Sequence, residues 1–397
     1  MIRPHGHIRP TNNFWESFIN RFATKLLVTS VAAAVSGMAF AADKTPTLGE
    51  VFKASGITTS GYIDFSYIDR STDQLSPPAY RMFDTERRGF TLQMLDLTVG
   101  YLPASGFGGQ VELNYGSDAK INSSLADPTS APSWTDVQQG YLQYASGPFS
   151  VIAGKFDTIA GAEVIQAPSN TNFSRSLLYT LAEPMFHTGV RGAYAPSDTT
   201  KFTVGVNNGW NVNKKTSKPA FGGTSPTGNT AELGVSVAPV KILSLSGAYY
   251  SGQESGITQA GTRSLLDLVA TINATDALSF VLNYDTDKQD HGKADGGEAK
   301  WDGLAGYANY KFSDQWRASL RTEKLKDKDG FASFLATGTA TVQTLKENTL
   351  TVGYAPASSF ELRGEFRADK SDKNVFLKSG NATDKQHTLA LEAVYKF

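Results

Sequence analysis

Residues Leu389 to Phe397 read Leu-Ala-Leu-Glu-Ala-Val-Tyr-Lys-Phe, so Leu389, Leu391, Ala393, Tyr395 and Phe397 share one face and Ala390, Glu392, Val394 and Lys396 the other. Successive side chains of a strand point to opposite sides, so this alternation marks a strand with two different faces. The pattern recurs along almost the whole chain, and that is what constrains the fold. From Gly56 onward, segments of roughly nine to thirteen residues alternate in period two. Examples are Ile63, Phe65 and Tyr67; Leu95, Leu97, Val99 and Tyr101; Val111, Leu113 and Tyr115; Leu278, Phe280, Leu282 and Tyr284; and Phe360, Leu362 and Phe366. Each segment is a weak signal, but about sixteen in series are a strong one.

The connections alternate as well. Short turns fall at 102–107, 146–148, 196–198, 239–241, 273–276, 313–314 and 355–358. Long polar stretches lie between them at 71–88, 118–134, 158–185, 209–229, 252–261, 287–300, 326–341 and 370–384. Placing every long loop at one end predicts an all-β, transmembrane antiparallel up-and-down barrel of about sixteen strands, with periplasmic turns and extracellular loops. Aromatics support this. Tyr101, Tyr144, Tyr194, Phe312, Tyr354 and Phe397 close strands that reach short turns, while Tyr67, Tyr115, Tyr249 and Tyr284 close strands that reach loops. Two such belts suit the two membrane interfaces.

The only sustained apolar run, Leu26 to Ala42, follows Arg21 and Lys25 and ends at Ala39-Phe40-Ala41. It is too short to span and reads as an export signal, residues 1–41, cleaved in a Gram-negative cell. Its removal takes the formal charge from -1 to -4, because four basic residues and one acidic residue are lost. Neither value favours a nucleic-acid partner. Mean hydropathy is -0.27, too low for a helical membrane protein. With no Cys, a disulfide framework, thiolate metal site and covalently held haem are excluded. In residues 42–55, Thr47-Leu48-Gly49-Glu50 fits a capping box that opens a short periplasmic helix. The barrel then occupies 56–397, and its terminal Phe397 strand is the segment the barrel-assembly machinery would read.

A barrel of this size leaves an aqueous channel. The face opposite the apolar one is charged and mixed in sign. Pore-lining candidates are Glu112, Lys155, Arg317, Arg321, Glu323, Glu361, Arg363, Glu365 and Arg367. Burying so many charges dry would cost several kcal/mol per unpaired ion, so a water-filled lumen is expected around them. The loop 158–185 stands apart because it carries Ile159, Val164, Ile165, Phe173, Leu177, Leu178, Tyr179 and Leu181. Apolar side chains on a loop need a surface to pack on, and the barrel mouth offers one.

Within that loop, Ala167-Pro168-Ser169-Asn170-Thr171-Asn172-Phe173-Ser174-Arg175-Ser176-Leu177-Leu178, then Glu183-Pro184 and His187-Thr188-Gly189-Val190-Arg191, resembles the OmpL-like beta-barrel porin family. The opening Gly56-Ile57-Thr58-Thr59-Ser60-Gly61-Tyr62-Ile63-Asp64 is similar too. The resemblance implies an outer-membrane porin-type barrel and says little about cargo. By analogy with trimeric porins, whose constriction loop joins the fifth and sixth strands, Glu163, Arg175, Glu183, His187 and Arg191 become constriction candidates. Arg175 and Glu183 equally suit a role in fastening the loop to the wall.

The reading favoured is a channel for passive diffusion of small hydrophilic solutes or ions, set in outer-membrane lipid, with a homotrimer as the porin default. A sleeve around a partner such as an electron-transfer cytochrome is the alternative. An outer-membrane lipid hydrolase is disfavoured, because His187, His291 and His387 show no spacing that would assemble a nucleophile, base and orienting acid. No cofactor is expected. The acidic run Asp285, Asp287 and Asp290 is better explained by hydration than by a metal.

Overall fold

In a lipid environment every backbone N–H and C=O must be satisfied within the chain, and a sheet achieves this only by closing on itself. The computed structural model describes residues 47–73, 80–126, 131–215 and 228–397. The proposed leader 1–41, and residues 42–46 of the segment that follows it, lie outside the described residues.

Strands β1 (Thr58–Arg70), β2 (Arg88–Tyr101), β3 (Gly106–Tyr115), β4 (Thr135–Ser146), β5 (Phe149–Asp157) and β6 (Phe186–Ser197) form the first part of the sheet. Strands β7 (Thr200–Asn207), β8 (Thr230–Val240), β9 (Leu243–Ser255), β10 (Ala260–Asn273), β11 (Leu278–Gln289) and β12 (Ala299–Lys311) follow. Strands β13 (Trp316–Asp327), β14 (Gln343–Ala357), β15 (Phe360–Ser371) and β18 (Lys385–Lys396) complete it. Among the described residues these sixteen strands make one closed antiparallel barrel, each beside its chain neighbour, with β1 against β18. A hairpin, β16 (Phe376–Lys378) and β17 (Asn381–Thr383), stands apart in the last loop.

The closing seam of β1 and β18 ends on the aromatic terminus. Phe397 and Gly61 exchange both backbone hydrogen bonds at 3.0 Å. A Cβ at Gly61 would come 2.4 Å from the Asp96 carbonyl oxygen and 2.7 Å from the Phe397 ring, so glycine leaves room for both at the seam.

The two faces separate as alternation requires. Along β13, Leu320, Thr322 and Lys324 are exposed while Ser319, Arg321 and Glu323 are buried. Outward aromatics pair near the turns, with centroids 4.9 Å apart for Phe107 and Tyr144, 4.7 Å for Phe149 and Tyr194, and 4.5 Å for Trp316 and Tyr354. At the loop end Tyr115 lies 6.3 Å from Trp134.

The loop end differs from the sequence expectation in detail. The stretch 252–261 is not a long loop: β9 and β10 pair through Ser255 and Ala260, leaving 256–259 as the connection. Polar strand residues there continue the ladder beyond the apolar band, which composition alone reads as loop. Helix α2 (Ser117–Ala126) takes up the first part of the stretch 118–134, and 326–341 contains helix α4 (Phe331–Thr337). Ahead of the barrel strands, helix α1 spans Leu48–Ser55. At its start Thr47 N donates to Glu50 Oε2 at 2.7 Å and Glu50 N donates to Thr47 Oγ1 at 3.3 Å. The bond from the Thr47 backbone, then that from its hydroxyl, hold the Glu50 carboxyl below its usual pKa.

Leu320 sits midway along the outward apolar band between Trp316 and Lys324. Leu320→Arg is therefore expected to cost about 2–4 kcal/mol, and Thr322→Arg, nearer the interface, about 0–1 kcal/mol. Chemical denaturation of the refolded barrel in lipid vesicles, followed by heat-modifiable gel mobility, measures both.

Candidate functional site

Segment 158–185 joins β5 to β6 and is built around a 3-10 turn at Ala167–Ser169 and helix α3, Leu177–Leu181. Pro168 suits the first turn of the former, where its missing N–H leaves no helical bond unmade. Ser176 caps α3, its hydroxyl accepting from Tyr179 N at 3.0 Å. Asn170 braces the middle: its amide donates to Val164 O at 2.8 Å and Gln166 O at 2.9 Å, and its carbonyl accepts from Val164 N at 2.9 Å. Arg175 ties the same turn together, donating to Val164 O at 2.9 Å, Phe173 O at 2.7 Å and Ile165 O at 2.7 Å.

The segment is anchored to inward-facing side chains on widely separated strands. At its start, Thr158 and Tyr250 of β9 share a hydrogen bond of 3.0 Å, and Ala162 N donates to Asn283 of β11 at 2.9 Å. Glu163 meets Arg321 of β13 at 2.7 Å. Arg321 also donates to Ser174 O at 2.6 Å and, through Nε, to Glu347 of β14 at 3.1 Å. Glu365 of β15 accepts from Phe173 N at 2.7 Å and Ser174 N at 3.1 Å, and Glu323 accepts from Leu177 N at 2.7 Å. Arg367 donates to Arg175 O. Arg363 donates to Ala167 O at 3.2 Å and to Glu392 of β18 at 3.1 Å. On the opposite wall Gln166 donates to Glu112 at 2.9 Å and Asp157 at 2.8 Å.

The apolar residues of the segment find partners too. Leu177, Leu178 and Leu181 join Trp301, Ala305 and Tyr307 of β12, Leu325 of β13 and Phe331 of α4 in one buried cluster.

The charges expected to sit in open water are thus packed against protein. Glu163, Arg175, Glu183 and His187 are all buried, as are Glu112, Lys155, Arg321, Glu323, Arg363, Glu365 and Arg367. For Glu163, Arg321, Glu323, Arg363, Glu365 and Arg367 the desolvation cost is offset because the groups are interleaved by sign and bonded to loop backbone. Arg317 and Glu361, paired at 2.6 Å, keep side-chain exposures of 24% and 16%, with Arg317 also donating to Thr171 O at 2.7 Å. Arg191 holds Glu232 through two bonds of 2.5 and 2.8 Å and lies over the Phe156 ring. Lys155 pairs with Asp136 at 2.9 Å. His187 stacks on Tyr250 at 4.9 Å, with its Nδ1 3.1 Å from the Gly209 carbonyl. His291 and His387 lie elsewhere: His291 neighbours Gln259 at the loop end, and His387 stacks outward on Phe366.

Sequence reasoning missed Glu347, the centre of the Arg321–Arg367 network, although its spacing from Thr349 and Thr351 places it on the inner face of β14. It also missed Arg81, which reaches from the loop after β1 to Asp84 and Asp369. No local signal marks that contact.

A second cluster joins the segment to β10 and β11. Glu183, Asp267 and Asp285 each offer an oxygen within 4.8 Å of the others, spacing that a hard cation or shared protons can bridge. Asn283 donates to Asp267 at 2.7 Å and to Asp285 at 3.3 Å. Gly161, at φ +86°, leaves the room that the Glu183 carboxylate occupies. Asp285 and Asp287 of the acidic run face inward, both buried.

Towards the turns the inner face changes character. A cavity of about 930 Å³ is lined by small and polar groups, including Gln143, Ser150, Lys201, Ser236, Ser246 and Thr271.

This architecture has solved counterparts. The outer membrane channel DcaP of Acinetobacter baumannii is 13% identical, covering 86% of this chain and 97% of its own at a TM-score of 0.58. The trimer form of OmpT from Vibrio cholerae is 12% identical, covering 86% and 99% at 0.58. The anion-selective porin from Comamonas acidovorans is likewise 12% identical, covering 86% and 99% at 0.58. At these identities the likeness establishes the fold. No curated protein matches by sequence. The family described as "Putative beta-barrel porin-2, OmpL-like" matches residues 56–397, the whole span of the barrel strands, and the chain belongs to that family of outer-membrane barrels.

Proposed function

We propose that the chain forms a water-filled outer-membrane channel for passive diffusion of small hydrophilic solutes or ions, narrowed by segment 158–185. One observation carries the reading: inward side chains near the turns line an open cavity of about 930 Å³, while those at the height of the segment are buried beneath it. A filled barrel would have no reason for the first, and an unobstructed pore no reason for the second. The anchors on β9, β11, β13 and β15, with Asn172 donating to Thr351 of β14 at 2.7 Å, support a rigid constriction rather than a swinging lid. Exposed charge near the passage then comes from Lys201, with the partly exposed Arg191, Arg317 and Glu361 beside it, and these become the candidates for setting ion preference. Glu163, Arg175 and Glu183 are proposed to hold the constriction in shape.

Export by a cleaved segment 1–41 belongs to the same proposal and rests on its sequence. Assembly as three copies is supported by the trimer form of the Vibrio cholerae OmpT.

Planar-bilayer recording of the refolded protein is expected to show discrete open levels of low conductance; its absence under conditions that yield folded barrel would sink the channel. Arg321→Ala strips the partner from Glu163 and Glu347, at a cost of about 3–5 kcal/mol for a broken buried pair. The loosened segment should raise conductance and open-channel noise in that variant. Unchanged conductance with a folded barrel would show that the segment does not narrow the path. In a salt gradient, Lys201→Glu should move the reversal potential toward cation preference; an unmoved potential removes Lys201 from the conduction path.

A further inference from the structure

We propose that the outer surface of β13, β14, β15 and β18 binds the phosphate groups of a phosphorylated outer-leaflet lipid through a row of four lysines. Lys324 stands directly opposite Lys346, Lys346 opposite Lys370, and Lys370 opposite Lys385. All four are exposed, and strand alternation puts them on the lipid-facing side. Neighbouring strands lie about 4.8 Å apart, so the row sets like charges side by side, an arrangement that repels in a sheet.

The same barrel shows how such repulsion is otherwise relieved. Lys288 and Lys300 also face each other, and Glu298 bridges them at 3.8 and 2.9 Å. Among the described residues none of the four row lysines has an ion-pair partner. The four ammonium groups are therefore open to an anion from outside the chain.

The rows beneath say what carries it. Two residues toward the turns, Thr322, Asn348, Ala368 and His387 are again mutual cross-strand partners, with Thr322 donating to Asn348 at 2.9 Å. Two residues further, Leu320, Leu350, Phe366 and Leu389 form the next row. Charge gives way to polar and then apolar surface in steps of about 6.8 Å, the order met on passing from lipid headgroups into acyl chains. The row lies at the loop end and therefore at the outer leaflet. Beside it an outward groove of about 530 Å³ has Leu282, Leu304 and Gly306 on its apolar part and Lys324, Lys326 and Lys346 at its rim, together with Asp302, whose charge is taken up by Lys328. An acyl chain in the groove would place its headgroup phosphate among the lysines, which bind phosphate as point charges.

The test is titration of the refolded full-length barrel in neutral detergent with bisphosphorylated lipid A, read by native mass spectrometry. Wild-type protein should bind saturably. The variant K324Q/K346Q/K370Q/K385Q should lose affinity by about tenfold or more, and the four Lys→Arg changes should restore it. Dephosphorylated lipid A should bind as weakly to wild type as lipid A does to the Gln variant. Heat-modifiable migration checks folding, and K346Q/K370Q replaces the fourfold variant if that one fails to fold. Equal affinity of wild type and Gln variant, or for the two lipids, would overturn the proposal. Displacement of the lipid by equimolar inorganic phosphate would assign the row to a free anion and overturn it as well.

Discussion

Closure of the backbone ladder is the constraint on which everything else depends. An open sheet in lipid would leave a row of N–H and C=O groups unsatisfied at each edge, at several kcal/mol for each group. The chain avoids this at a single seam, where β1 pairs with β18 from Tyr62 opposite Lys396 to Arg70 opposite Thr388. The bare backbone of Gly61 and the ring of Phe397 share the last rung. Once the ribbon is closed its two faces have two different solvents, and period-two alternation becomes obligatory on every strand.

The inner face then meets a second physical problem. Sixteen strands enclose more space than wall side chains can fill, and this wall carries charges that would be costly without water or partners. Segment 158–185 supplies partners across much of the circumference. Its backbone N–H groups satisfy Glu323 and Glu365, its carbonyls satisfy Arg175, Arg321, Arg363 and Arg367, and its leucines cover Trp301 and Leu325. The charged wall and the apolar loop are two halves of one packing solution. Where the segment does not reach, the wall reverts to Ser, Thr and Gln around open space.

The barrel was legible because alternation is local: Leu95, Leu97, Val99 and Tyr101 reveal their common face without knowledge of any neighbour. The terminal strand, the capping box at Thr47 and Glu50, and the inward parity of Arg317 to Glu323 were readable on the same ground. What the sequence could not show was which inward charges face water. Arg321 and Arg317 have the same parity four residues apart, yet one is sealed beneath Ser174 and the other lines a separate cavity of about 270 Å³ beside Thr171. That difference is decided by the path of a loop more than a hundred residues earlier in the chain. The meeting of Glu183 with Asp267 and Asp285 is equally nonlocal, and the strand character of 252–255 was hidden by its polarity. The lysine row needed the register of four strands to be seen at all.

Because the chain contains no Cys, single cysteines can report each wall position against a silent background. Spin labels placed along Trp316–Asp327 and at Ser236, Ser246 and Thr271 would measure collision with oxygen, which partitions into lipid, and with a water-soluble nickel chelate. Oxygen access is expected at 318, 320 and 322, little access to either probe at 319, 321 and 323, and nickel access at 236, 246 and 271. Nickel access at 321 equal to that at 246 would mean that the segment leaves the wall uncovered, and loss of the two-residue period along β13 would contradict the barrel itself.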